Sequence, residues 1–193
     1  AWVERIGDEC RANDLPYFLE FVGYEEGADE KGLEYAKRKP EVVAGAMREF
    51  TRDRYGVDVM KVEIPINMQF VEGAKSNKTG QVAYTREEAK RLFLEAATAS
   101  TKPFIYLSAG VSNAEFTEGL QVAAESGVRY SGVLCGRATW KDGISVFAKE
   151  GSDAFRAWLE TKGVENIKNV NEAVKPASPW FSVYGAKSAD ELG

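Results

Sequence analysis

The 193-residue chain contains no histidine. That single absence removes Ser-His-Asp and Cys-His triads, histidine-ligated zinc and histidine general bases together. Any acid–base chemistry falls to carboxylates, lysines, tyrosines or cysteine. Cysteine is scarce too. Cys10 and Cys135 lie far apart and match no metal or redox spacing, so a reducing cytoplasm is the expected setting. No apolar run is long enough to span a membrane, and no signal-peptide pattern opens the chain. A net charge of -5 leaves no basic footprint. Neither nucleic acid nor a membrane is therefore expected as a partner. No G-x-G-x-x-G fingerprint follows a strand, which disfavours a dinucleotide-binding sheet.

What is present is an ordinary globular composition, 44% hydrophobic and 28% charged, with length for one domain and a sizeable core. The chain opens on Ala1-Trp2 without a methionine, as a segment from inside a longer protein would. Trp2, Val3, Ile6 and Cys10 have helical spacing, with Asn13-Asp14 as a stop. Tyr17 to Tyr24 reads as a strand, and the charged residues 25–39 as an exposed loop. Pro40 suits the first turn of a helix reaching about Arg52. Val57 to Pro65 is the second strand, and the polar loop 73–80 follows. Thr85-Arg86-Glu87-Glu88 is a capping box that opens a helix to about Thr98. Pro103 to Gly110 is a third strand, then Ser112 or Asn113 caps a helix that Gly127 ends. Tyr130 to Thr139 is a fourth strand, and helices are expected over 142–150, 152–162 and 164–174. The residues after Pro176 have turn-forming composition and read as a loop or docked tail. Alternating strands and helices mean parallel strands with helices outside, in an open doubly wound sheet or part of a (β/α)8 barrel.

The second strand carries an oddity. Lys61 and Glu63 interrupt a run rich in Val, Met and Ile, and alternation aims both at one face. An amine in an apolar strand is costly unless paired or used, and desolvation lowers its pKa and makes it a better nucleophile. Two readings compete: a lysine satisfied by Glu63 or by water at a strand mouth, and a catalytic amine. Glu20 interrupts the first strand in the same way. The third strand ends in Ser108-Ala109-Gly110 and the fourth in Gly136-Arg137. Small residues at strand ends expose backbone N–H groups that suit a phosphate, and Arg137 adds a forked cation. Plain turn geometry is the competing account of each glycine alone. Lysine, carboxylate and phosphate cradle together suggest a Schiff-base enzyme acting on a phosphorylated carbonyl compound.

These residues resemble the class I tagatose 1,6-bisphosphate aldolase family. The resemblance is carried by Tyr17-Phe18-Leu19-Glu20, Val57 to Asn67, Phe70 to Gly73, Tyr106 to Ser112 and Gly132 to Trp140. It implies an α/β fold, the (β/α)8 TIM barrel, with residues 1–175 as the last four strand–helix units and 176–193 as a tail outside the family pattern. It implies no metal and no cofactor, a phosphosugar substrate, and reversible cleavage to glycerone phosphate and glyceraldehyde 3-phosphate. Lys61 falls on the Schiff-base lysine and Glu20 on the acid/base glutamate. Ser108, Gly110, Gly136 and Arg137 fall on segments that hold a substrate phosphate. Glu63 has no role carried over and is expected as electrostatic support for Lys61. A homodimer is the working expectation for assembly. Aldolases of 6-deoxy-6-sulfofructose 1-phosphate share the resemblance, and a non-catalytic phosphosugar-binding barrel is the reading from outside the enzymes.

Overall fold

A computed structural model describes residues 1–192. Four parallel strands pair in the order in which the chain makes them: β1 (Phe18–Glu20), β2 (Val59–Glu63), β3 (Phe104–Leu107) and β4 (Val133–Leu134). This sequential, all-parallel order is the one expected of consecutive barrel units. Helix α1 (Trp2–Ala12) precedes β1; α2 (Leu33–Phe50), α3 (Arg86–Thr98) and α4 (Asn113–Glu125) connect the strands. A short α5 (Arg137–Trp140) and a longer α6 (Gly143–Trp158) follow β4. A π-helical turn, Leu159–Gly163, runs without interruption into α7 (Val164–Ala173), where two separate helices are expected from the sequence. The expected break at Gly151 is present, with φ of 84°.

Register divides the sheet into two faces. Met60 pairs with Phe104 and Val62 with Tyr106. On that face Tyr106 meets Phe93 of α3 edge-on and stacks near Tyr130, and Met60, Val62, Tyr106, Phe93 and Leu120 are all fully buried. This is the core between sheet and helices. The opposite face carries Phe18, Glu20, Val59, Lys61, Glu63, Ile105 and Leu107. The segment after Pro176 docks as expected of a packed tail. Trp180 sits edge-on to Phe18, and the Tyr184 hydroxyl donates to the Asp58 carbonyl at 2.6 Å. It thereby covers the N-terminal ends of β1 and β2.

Three expected boundaries need correction. The first strand stops at Glu20 rather than Tyr24, because the Gly23 amide leaves the ladder to bond the Glu63 side chain. The fourth is two residues long, and Arg137 opens a short helix with Gly136 at its N-cap instead of ending a strand. The largest error concerns Pro40, which lies inside α2 rather than at its start. Residues 33–39 are helical, not loop. A proline within a helix strips the carbonyl four residues earlier of its donor and costs about 3 kcal/mol. Here that carbonyl belongs to Ala36, and the buried Tyr84 hydroxyl donates to it. A side chain from the connection before α3 thus replaces the missing bond, and α2 continues.

Removing that hydroxyl leaves a buried carbonyl unsatisfied, a loss of about 1–3 kcal/mol. Tyr84→Phe is therefore expected to lower unfolding free energy in urea by about that amount. In a Pro40→Ala background, where residue 40 regains its N–H, the same substitution should cost clearly less. Additive losses in this double-mutant cycle would show that the hydroxyl does not substitute for the helix bond.

Candidate active site

Parallel pairing sets Glu20 of β1 directly opposite Lys61 of β2. Paired residues of adjacent strands share a face, so the two side chains meet. Lys61 Nζ donates to Glu20 Oε2 at 2.8 Å. The lysine side chain is 17% exposed and the glutamate 51%. A pair half open to water contributes about 0–1 kcal/mol, too little to offset placing an amine in a strand whose other four residues are buried. Stability therefore does not account for Lys61. The arrangement does suit chemistry: an amine capable of attacking a carbonyl, with a carboxylate within proton-transfer distance of it.

Glu63 shares that face, yet its partners differ from the expected one. Its Oε1 lies 3.2 Å from Lys39 Nζ of α2, and its Oε2 accepts from the Gly23 amide at 2.9 Å. The direct partner of Lys61 is Glu20, while Glu63 pairs with Lys39. Both members of the second pair are largely buried, at 8% and 14% exposure. Removing one partner from such a buried pair typically costs about 3–5 kcal/mol. Lys39 is absent from the sequence-based site because residues 25–39 read as a loop. A helical reading continued back through Pro40 would have found it, since buried Tyr35, Ala36, Pro40, Val43, Ala44 and Met47 keep helical spacing.

Beyond β3 the chain turns sharply. Ala109 and Gly110 both have positive φ, 48° and 74°, and the Val111 amide bonds back to the Ser108 carbonyl at 3.0 Å. Two successive left-handed residues define a tight turn that favours glycine. Gly110 also lies close under Arg137: a Cβ there would stand 3.3 Å from Arg137 Cζ, a tight contact for the guanidinium. Lys141 Nζ donates to the Gly110 carbonyl at 2.6 Å. The turn then enters α4, whose N-cap Ser112 accepts from the Glu115 amide. Ser108, Gly110 and Arg137 are thus brought together, with Gly136 immediately before Arg137, and Lys141 is an addition that sequence reasoning missed. An open cleft of about 420 Å³ runs past this turn, lined by Lys39, Glu63, Ser108, Gly110, Glu115 and Lys141. Lys61 and Glu20 are not in its wall. Glu63 belongs to both groups, two residues along β2 from Lys61 and in the cleft lining.

Glu115 was also missed. It is buried in the cleft wall and accepts from Gln69 Nε2 at 3.1 and 3.3 Å. Burial pushes its carboxyl above the usual carboxylate range, against the opposing effects of Gln69, Lys39 and Lys141.

Comparison with known proteins adds a family. Residues 1–142 match the model of the DeoC/LacD family of aldolases. Tagatose 1,6-diphosphate aldolase of Listeria monocytogenes serotype 4a (strain HCC23) is 50% identical over 188 residues, which cover 96% of this chain and 55% of that protein. Tagatose 1,6-diphosphate aldolase 2 of Streptococcus pyogenes serotype M1 is 49% identical over 182 residues, 93% of this chain and 55% of that protein. The chain belongs to the DeoC/LacD aldolase family. Its fold class is that family's α/β TIM barrel, and the four parallel strands are consistent with part of one. The chain spans about half the length of the curated relatives it matches. The 96% coverage carries the similarity past Pro176, so the tail is not foreign to these relatives.

The raised Glu115 carboxyl makes a pH prediction. Its folded-state pKa lies above the unfolded one, so its contribution to stability is greatest below the unfolded value and declines as pH rises through the folded one. Glu115→Gln, which keeps a hydrogen-bonding partner for Gln69, is expected to raise the urea midpoint, and to do so more at pH 7 than at pH 4. A gain confined to pH 4 would reverse the sign of this linkage.

Proposed function

We propose, from membership of the DeoC/LacD aldolase family, that this chain carries the nucleophile and the proton-transfer group of a class I aldolase. The proposed reaction is cleavage of tagatose 1,6-bisphosphate to glycerone phosphate and glyceraldehyde 3-phosphate. In this reading residues 1–175 are the C-terminal half of the barrel. The observation that carries it is the 2.8 Å contact between Lys61 Nζ and Glu20 Oε2 on neighbouring strands. The substrate comes from the names of relatives about 50% identical to this chain.

The steps follow from those two groups. Lys61, as the free amine, adds to the substrate ketone, and the resulting carbinolamine takes up one proton from solvent as it loses water, which gives a protonated imine. The imine draws electrons from the bond between the carbon next to it and the following, hydroxyl-bearing carbon; as that hydroxyl gives up its proton, the bond breaks, an aldehyde departs and an enamine remains. The enamine left on Lys61 takes a proton at carbon, and water hydrolyses the imine to release the ketone product. Glu20 moves the proton at the hydroxyl or at the carbon. The turn at Ser108 and Gly110, with Gly136 and Arg137, holds a substrate phosphate and keeps the reacting carbon over Lys61. Backbone amides and a guanidinium suit that anion because both are fixed donors.

Borohydride added to the full-length protein with substrate is expected to leave a covalent adduct on Lys61, located by peptide mass. Lys61→Ala should lose both adduct and turnover; a variant still trapped and active would end the mechanism. Glu20→Gln should keep trapping while kcat falls by about 10²–10⁴-fold, the usual range for a lost acid–base group. EDTA should leave the rate unchanged, since no step calls on a metal. A panel of tagatose and fructose bisphosphates and the sulfonated sugar phosphate then fixes the substrate.

A further inference from the structure

We infer that Glu63 is a positioning residue: it clamps the segment that carries Glu20 and so sets where that carboxylate stands over the Lys61 amine. The catalytic consequence rests on the Schiff-base reading above, whereas the clamp is read from geometry alone.

Glu20 is the last residue of a three-residue strand. So short a strand anchors its end weakly. Just beyond it, the Phe21 amide reaches the Lys61 carbonyl only at 3.4 Å. The next firm attachment is the Gly23 amide, which donates to Glu63 Oε2 at 2.9 Å. Glu63 is in turn held on its other oxygen by Lys39 of α2 at 3.2 Å. One carboxylate therefore ties together β2, α2 and the loop that follows Glu20. It does so from two residues beyond Lys61 on the same strand and the same face. The distance between Glu20 and Lys61 is thus set from the strand that bears the amine.

The loop is pressed into this place. A Cβ at Gly23 would stand 2.5 Å from Val42 Cγ1 and 3.2 Å from Tyr35 Oη, so only glycine lets the amide reach the carboxylate. Tyr35 is 4% exposed, and its hydroxyl has no hydrogen-bond partner among the described residues. It walls the glycine in without bonding it, which leaves Glu63 as the polar anchor of the segment. With both its oxygens engaged, Glu63 has no bond to Lys61. Its influence on the amine runs through Glu20.

Three variants of the full-length protein test this. Amide exchange across residues 21–24 should rise clearly more in Glu63→Ala than in Glu63→Gln, which loses the charge opposite Lys39 but keeps an oxygen for the Gly23 amide. Misplacement on the order of 1 Å can cost about a hundredfold, so kcat of Glu63→Ala should fall by about tenfold to a hundredfold with KM little changed. Borohydride trapping on Lys61 should persist, and Glu63→Gln should recover most of the lost kcat. Gly23→Ala displaces the loop with Glu63 intact and should reproduce the exchange and kcat defects, which keeps the test decisive if Glu63→Ala fails to fold. Unchanged exchange in Glu63→Ala and Gly23→Ala, or a KM rise with kcat preserved, would overturn the proposal. A parent protein that is never trapped on Lys61 would instead defeat the Schiff-base reading, and the exchange result would still decide the clamp.

Discussion

The site depends on the parallel register of β1 against β2. With Glu20 opposite Lys61, strand spacing alone brings a carboxylate to an amine without a loop having to find it. A slip by one residue would turn Lys61 toward α2 and α3 and bring Met60 or Val62 to the site face. Register is held by burial on the other face, where Leu19, Met60, Val62, Phe104 and Tyr106 pack beneath the helices. The hydrophobic core is thus what places the polar pair, and the energetic weight lies on the face away from it.

Two charge pairs share the site face, and exposure separates their roles. Lys61 and Glu20 are paired with the glutamate half open to water, so the contact can be displaced at little cost. Glu63 and Lys39 are paired where water is scarce, and breaking that pair would strand a charge. A reactive group must be free to change partners during a reaction, whereas a frame must not. The exposed pair fits the first requirement and the buried pair the second. Arg137 and Lys141 make a third arrangement, two cations drawn to one glycine turn at the mouth of the sheet.

Much of this was legible in local sequence. The capping box of α3, the break at Gly151 and the strand–helix alternation are all short-range signals, and each occurs where its residues predict. Lys61 and Glu20 stood out because a charge in an apolar run needs a reason. The α2 boundary was misread because proline is a strong local signal and its remedy comes from Tyr84, 48 residues beyond the Ala36 carbonyl that it satisfies. Lys39 was lost with that boundary. Lys141 and Glu115 sit among ordinary helix charges, and nothing local distinguishes them from solvated ones. Glu63 was placed on the right face but given the wrong partner, since alternation reports direction and not what α2 brings to meet it.

Many of the long-range bonds share one physical form. Backbone groups that local structure leaves without a partner are satisfied by side chains distant in sequence. Glu63 takes the Gly23 amide across 40 residues, Asp58 takes the Tyr17 amide across 41, and Tyr184 reaches the Asp58 carbonyl across 126. Glu118 of α4 takes the amides of Lys75 and Ser76 in the loop after β2. A buried amide or carbonyl must find a partner, but its own sequence does not name it. Between parallel strands the chain makes long crossovers, so neighbours in space are dozens of residues apart and these bonds become the means of fixing loop to strand. Loops at the C-terminal ends of barrel strands carry the chemistry, and their unpaired backbone makes them the least constrained by ladder bonds. Side chains rooted on the strands supply that constraint here, which is why a buried carboxylate on β2 has its place beside the loop that leaves Glu20.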